Sequence, residues 1–427
     1  MNTLLTINKQ RKRISISILM ILTIIVYILF AFKRIKFSFA SKIDDIPLNN
    51  EVWLFPIILI FKYLIIKKER LFDKNLIILY CGLIIDILIG GFNMDSPAQY
   101  IYAILQLMVP MFFIFSITKN DLLYIDLFIK LSIMFCLVYS LLAIVTSRNY
   151  GLFLEILGDR IKYQYLSQYR ASLMLGSSIT VSYYLNMMLP LCFYFYYTTT
   201  ENKWKILSFI TIILNFIATL VLLSRLSFFI SIFVMVYYLL FSRSNNLTRL
   251  KRIEIIILAI GVGIYSSKIF NLSRLFIGFN DESTLERLKA INLGIYLFIQ
   301  YPILGTGLGR YFTRVYSNRN ILVDGIQGLV DPHNTYVMVL SEMGIIGFII
   351  LTMIFISIIS KFKYIEDTIL RKTAYMTVIV YILGAFGGSQ LLNEISYSTL
   401  LWIYFSLFRA VSIRDYSYKK SNSKLKQ

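Results

Sequence analysis

Histidine is almost missing from this 427-residue chain: His333 is the only one, and cysteine is nearly as scarce, with three. Cys81, Cys136 and Cys192 each sit inside an apolar run, so they read as small buried hydrophobes and not as a disulfide framework. One imidazole and three scattered thiols exclude a typical zinc site. Asp44-Asp45 is the only pair of adjacent aspartates, and no D-x-D spacing offers a cage for a divalent cation. No phosphate-binding loop of the ATPase type occurs, so energy for any reaction has to come from an activated substrate or a gradient. The expectation is a chain that works without metal or cofactor.

Charge is scarce as well, at 15% of residues, whereas 58% are hydrophobic and the mean hydropathy is +0.70. An ordinary soluble domain carries about 25% charged residues and cannot bury this much apolar surface, which leaves lipid as the solvent. The 33 Phe and 31 Tyr suit headgroup belts and helix seams. A net charge of +20 invites a nucleic-acid partner. The basic residues, however, come in short clusters between apolar runs, which is how membrane topology is encoded, so nucleic acid is set aside.

Apolar stretches near 20 residues fall at 14–33, 51–67, 75–92, 98–118, 123–146, 172–196, 204–223, 226–242, 253–270, 335–359, 373–389 and 395–412. The expected fold is therefore all-α, a polytopic transmembrane bundle of about 12 spans forming one integral-membrane domain over 1–427. Lys9, Arg11, Lys12 and Arg13 before the first run imitate a signal peptide. That run is of full spanning length, so an uncleaved signal anchor is expected. Segments placed inside by cytoplasmic termini hold more Lys and Arg than those placed outside, which favours both termini in the cytoplasm.

The outer segments break that rule in two places, 147–171 and 271–334, where Arg148, Arg160, Arg170, Arg274, Arg287, Arg310, Arg314 and Arg319 gather. Either an anion is held there, or the charges are merely answered by acids such as Glu155, Asp281 and Glu286. The 271–334 segment is the only large loop. Within it, Leu285, Leu288, Ile291, Ile295 and Ile299 recur at helical spacing, which predicts an amphipathic helix over 283–300. It lies on the outer face, or dips into the membrane as a half-span.

Several residues stand out chemically. His333 lies in Asp331-Pro332-His333-Asn334-Thr335-Tyr336, with Asn334 as the predicted N-cap of the following span. The positive end of that helix should keep the ring neutral and able to accept a proton, as a general base requires; the alternative is a histidine that only ties down a loop. Glu342, in Glu342-Met343-Gly344-Ile345-Ile346-Gly347, is a carboxylate inside a span and needs a partner, expected to be a basic or hydroxyl group on another helix. The two glycines there permit close approach of a neighbouring helix. Glu342 lies nine residues after His333, about 180° around a helix, which argues against a direct dyad. Arg225 stands in Ser224-Arg225-Leu226-Ser227 between two spans with almost no loop, and its planar fork suits a diphosphate. Gly305-Thr306-Gly307-Leu308-Gly309-Arg310 imitates a dinucleotide motif, but no strand precedes it, so a re-entry turn after Pro302 is the better reading.

These features together resemble the O-antigen polymerase and O-antigen ligase superfamily of bacterial envelope glycan enzymes. The resemblance spans roughly 165–350. It is carried by Arg170 at the entry to a central span, by Ser224-Arg225, by Glu286-Arg287 through Pro302-Ile303-Leu304-Gly305-Thr306-Gly307, and by Pro332-His333-Asn334 with Glu342-x-Gly344-x-x-Gly347. Leu226-Ser227 departs from the smaller residues usual after the arginine. The resemblance implies a bacterial inner-membrane protein that takes a glycan from a polyprenyl diphosphate at the outer face and transfers it to a hydroxyl. His333 would be the base, with Arg225, Arg287, Arg170 and Arg310 binding diphosphate or glycan, and Glu342 and Asn334 in support. A polymerase joining lipid-linked repeat units of O-antigen or capsule is favoured, because the chain is compact and rich in Ile, Lys and Asn. Its expected partners are the lipid-linked oligosaccharide, membrane lipid, a chain-length regulator and a flippase. A ligase that moves glycan to lipid A core is one alternative. A lipid-linked oligosaccharide flippase is another, although a transporter should hold its charges near the midplane.

Overall fold

A computed structural model describes residues 74–93, 97–115, 125–148, 178–241, 282–314, 332–393 and 395–424, together with 42–43, 46–47, 117 and 122. Long apolar runs form helices because a helix satisfies its backbone groups within one segment, which lipid cannot do for them. The helices are α1 (Lys74–Gly90), α2 (Pro97–Phe112), α3 (Ile125–Arg148), α4 (Ser178–Thr198), α5 (Asn202–Val221), α6 (Arg225–Phe241), α7 (Glu282–Gln300), α8 (Thr335–Ile359), α9 (Thr368–Ala385) and α10 (Ile395–Lys424). A single helical turn, Gln390–Asn393, leads into α10. The only extended structure among the described residues is a two-residue antiparallel pairing, Lys42–Ile43 with Ile46–Pro47. The all-α expectation holds. Of the twelve apolar runs, 14–33, 51–67 and 253–270 lie outside the described residues, and a helix meets each of the rest. Ile125–Thr146, Asn202–Val221 and Thr335–Tyr364 are long and apolar enough to cross a membrane; Gln99–Phe115 and Arg225–Leu240 are shorter apolar helices.

The bundle is apolar on its surface as well as in its core. Its centre is α4, buried almost throughout and packed against α3, α5, α6 and α9. Polar side chains line these central seams. The Asn186 amide donates to the backbone oxygen and hydroxyl of Ser227, both at 2.7 Å, and accepts from Ser231 at 2.5 Å. Asn215 donates to the Leu185 carbonyl at 2.9 Å. The outer surface meanwhile exposes large apolar side chains, among them Ile78, Phe92, Phe229 and Ile356. Lipid-facing hydrophobes around hydrogen-bonded polar seams are the pattern of helix association in a membrane. Ser227 is fully buried and joins α6 to α4, so this stretch packs closely.

α8 is not one continuous helix. Gly344 has φ 63° and ψ −165°, which breaks the helix after Met343 and releases the hydrogen-bonding groups on both sides. The turn after α7 takes them up. Thr306 and Gly307 N–H donate to the Ser341 and Glu342 carbonyls at 2.8 and 2.9 Å, while Ile345 and Ile346 N–H donate to the Pro302 and Ile303 carbonyls at 2.9 and 3.2 Å. The two backbones meet so closely that a Cβ on Gly305 would lie 2.5 Å from the Glu342 oxygen, and one on Gly344 would lie 2.5 Å from Gly305 N. The glycine-rich turn and the Glu-x-Gly motif are thus two halves of one joint. The sequence reading of Gly344 as a site of helix–helix approach is corrected, since a backbone loop fills the gap. Gly347 does face a helix: a Cβ there would come within 2.7 Å of Asp86 on α1.

Glu342 has a backbone group as one partner. Its Oε1 accepts from the backbone N–H of Tyr311 at 3.1 Å. That N–H begins the short helical turn 311–314, where the first amides have no partner along their own helix, so a carboxylate fits.

Candidate functional site

Asn334 caps α8 as its sequence context requires. Its side chain accepts from Tyr336 N at 3.0 Å and Val337 N at 3.1 Å, with its own backbone extended. The preceding His333 has φ +45°, an uncommon conformation for a residue with a side chain. It is held there from both sides, by buried Pro332 and by the capped helix, and the imidazole is left half-buried. One residue beyond the cap, the Thr335 hydroxyl donates to the Gly388 carbonyl at 2.6 Å. This bond ties the start of α8 to the Gly387-Gly388 turn that follows α9.

That turn is a meeting point. A Cβ on Gly387 would collide with the Tyr183 hydroxyl of α4 and lie 2.6 Å from Leu226 Cδ2, one residue past Arg225. Arg225 itself is the first residue of α6 and is half-buried, after a two-residue turn in which Leu223 has φ +55°. The expected tight hairpin is present. Arg287, half-buried on α7, is close enough to Tyr183 for its charge to act on the phenol.

α7 brings Arg287 to the same end of the bundle as His333. A Cβ on Gly294 of α7 would run into the Val337 side chain of α8, and further along Gly305 meets Glu342, so α7 and the first half of α8 run in the same direction. From the Gly294–Val337 contact, seven residues back along α7 to Arg287 is about 10 Å, and four residues back to His333 is about 6 Å. α7 thus packs alongside the first half of α8. Its packed face is Ala290, Leu293, Gly294 and Leu297, whereas Leu285, Leu288, Ile295 and Ile299 look outward. The far ends of the helices carry a separate polar group, in which Lys130 bridges Asp126 and Glu201 at 3.0 and 2.8 Å.

Arg310 takes a different place. It is buried, and a guanidinium nitrogen donates to the Thr306 carbonyl at 3.1 Å, inside the glycine turn. That turn is wedged among other elements: Gln99 donates to the Gly309 carbonyl at 2.8 Å, and a Cβ on Gly307 would lie 3.0 Å from the Gly90 oxygen. Arg170 lies outside the described residues. The segments that carry His333, Arg225 and Arg287 therefore converge near Gly387-Gly388. Sequence reasoning passed over that glycine pair, Tyr183 and the buried Asp86. A Gly-Gly closing an apolar run and a carboxylate inside a span were the available signals.

Residues 171–352 match the family model described as O-antigen ligase. This segment belongs to the O-antigen ligase/polymerase superfamily. The superfamily segment contains Arg225, Arg287, Arg310, His333, Asn334 and Glu342, and begins one residue after Arg170. It also holds both halves of the joint between the glycine turn and α8. The Gly387-Gly388 turn comes from beyond it. No curated protein sequence matches the chain.

Proposed function

We propose that this protein transfers a glycan from a polyprenyl diphosphate to a sugar hydroxyl, and so polymerises lipid-linked repeat units at the outer face of a bacterial inner membrane. The observation that carries the reading is the convergence on a single turn of the segments that carry His333, Arg225 and Arg287, at one end of an otherwise lipophilic bundle. His333 takes the proton of the acceptor hydroxyl as its oxygen attacks the anomeric carbon. The bond from that carbon to the phosphate oxygen breaks, and the diphosphate leaves with the electron pair. Arg225 and Arg287 neutralise the charge that develops on it, in a site that lipid-facing helices keep dry. The positive φ of His333 supports this role, because strained backbone persists only where surrounding contacts impose it, as at active sites. Glu342, Asn334 and Arg310 hold the frame.

A ligase has the same donor chemistry with a different acceptor, and the description of the matching family favours it as the second reading. One experiment separates the readings: His333→Ala in the native host, with the surface glycan resolved on a gel. Loss of the ladder with single-unit capping supports the polymerase, and carrier-linked polymer that accumulates supports the ligase. A full-length ladder that survives refutes His333 as the base, and substrate trapped on the inner side points to a flippase.

A further inference from the structure

The Tyr183 ring is buried at the head of α4, the central and best-packed helix. Its hydroxyl reaches the Gly387-Gly388 turn, where only a glycine leaves room for it. Among the described residues this hydroxyl makes no hydrogen bond. Arg287 on α7 lies near enough for its positive charge to act on the phenol. Leu226, against the same turn, fixes the first turn of α6 and with it Arg225. A rigid phenol O–H beside two guanidinium-bearing helix segments, with its donor unused, is a site prepared for an anion that both kinds of donor can share.

We propose that Tyr183 is a third ligand of the donor's diphosphate, donating its hydroxyl proton to a phosphate oxygen that Arg287 also binds. The proposal rests on the glycan-transfer reading above and deepens it. It assigns Gly387 a role too: a side chain at 387 would displace the hydroxyl from the position in which it donates. Tyr183 is a positioning group for the leaving diphosphate and takes no proton from the acceptor.

The test uses the full-length protein in lipid nanodiscs, with binding of inorganic pyrophosphate measured for wild type, Arg287→Ala, Tyr183→Phe, Gly387→Ala and the double variant of the last two. Tyr183→Phe should weaken pyrophosphate binding about tenfold, as expected for a hydrogen bond to a charged group, and raise KM for the lipid-linked donor with a smaller change in kcat. Gly387→Ala should weaken binding in the wild type and by a smaller factor when residue 183 is already phenylalanine, because the collision with the oxygen is then gone and only the contact with Leu226 remains. Loss of binding in Arg287→Ala with unchanged binding in Tyr183→Phe overturns the assignment of Tyr183 and leaves the diphosphate reading intact. Independent, additive effects of Gly387→Ala and Tyr183→Phe also overturn it. A wild type that does not bind pyrophosphate, or an Arg287→Ala protein that binds it normally, overturns the diphosphate reading and this proposal together. If Tyr183→Phe fails to fold, Gly387→Ala alone decides: binding equal to wild type refutes the proposal.

Discussion

Replacing Gly344 by alanine distinguishes a broken α8 from a continuous one by the sign of the effect. In an uninterrupted helix, alanine is the better residue, and Gly→Ala in the interior adds about 0.5 to 1 kcal/mol of stability. At φ 63° and ψ −165° the opposite follows, because this conformation is open to glycine and costs a side-chain-bearing residue about 1 to 3 kcal/mol. The new Cβ would also lie 2.5 Å from Gly305 N, with the Ile303 carbonyl closer still, and those contacts are backbone and cannot swing away. Moving them strains the four backbone hydrogen bonds that join the two segments, each contributing about 1 kcal/mol net. The expected loss is about 3 to 5 kcal/mol. It is read as a lower midpoint of thermal or denaturant unfolding of the full-length protein in detergent, followed by intrinsic fluorescence. The glycan ladder in the host should disappear along with it. Unchanged or increased stability would refute the joint between the glycine turn and α8. Gly305→Ala, on the other side of the same contact at φ 68°, should behave alike, and a disagreement between the two would count equally against it.

Three further substitutions follow from the same geometry. Asn334→Ala removes a side chain that accepts from two amides, so α8 should lose about 1 kcal/mol in the same unfolding assay, and glycan output should fall because His333 loses one of its two anchors. Glu342→Ala should cost about 2 to 3 kcal/mol by stranding the Tyr311 N–H in a buried position, whereas Glu342→Gln, which keeps a carbonyl oxygen, should lose less than 1 kcal/mol and retain the ladder. Asn186→Ala should destabilise by about 2 to 3 kcal/mol, since it leaves both Ser227 and Ser231 without their shared partner in the middle of the bundle, and equal stability would refute the polar seam.

The helices were legible because lipid imposes a simple rule: a run long and apolar enough to span has to be helical, and α1 to α6 and α8 to α10 follow it. The cap at Asn334 and the hairpin before Arg225 were legible for a similar reason, since each depends on a few consecutive residues. What sequence could not give was the pairing between distant segments. Helical spacing on α7 identified Leu285, Leu288, Ile295 and Ile299, yet these form its outward face, because in a membrane the most apolar stripe need not be the packed one. The packed stripe is made of Ala290, Leu293, Gly294 and Leu297, where small size matters more than hydrophobicity. Glu342 was rightly singled out as a buried acid, but the rule that a buried charge needs a partner names no partner, and the backbone amide of Tyr311 is one of them.

The same reasoning accounts for Gly387-Gly388. Neither residue carries chemistry of its own, and the pair is silent until α4, α6 and α8 are seen to converge on it. A single turn fixes the spacing of three helix starts because its two residues have no side chains to hold those helices apart. Enlarging it at 387 moves Tyr183 and the first turn of α6 together, while the Thr335 bond to 388 keeps the start of α8 in place. The proposed base and the proposed diphosphate ligands are therefore mechanically separable. Substitution at Gly387 should act on donor binding, and substitution at Thr335 should act on the step that depends on His333.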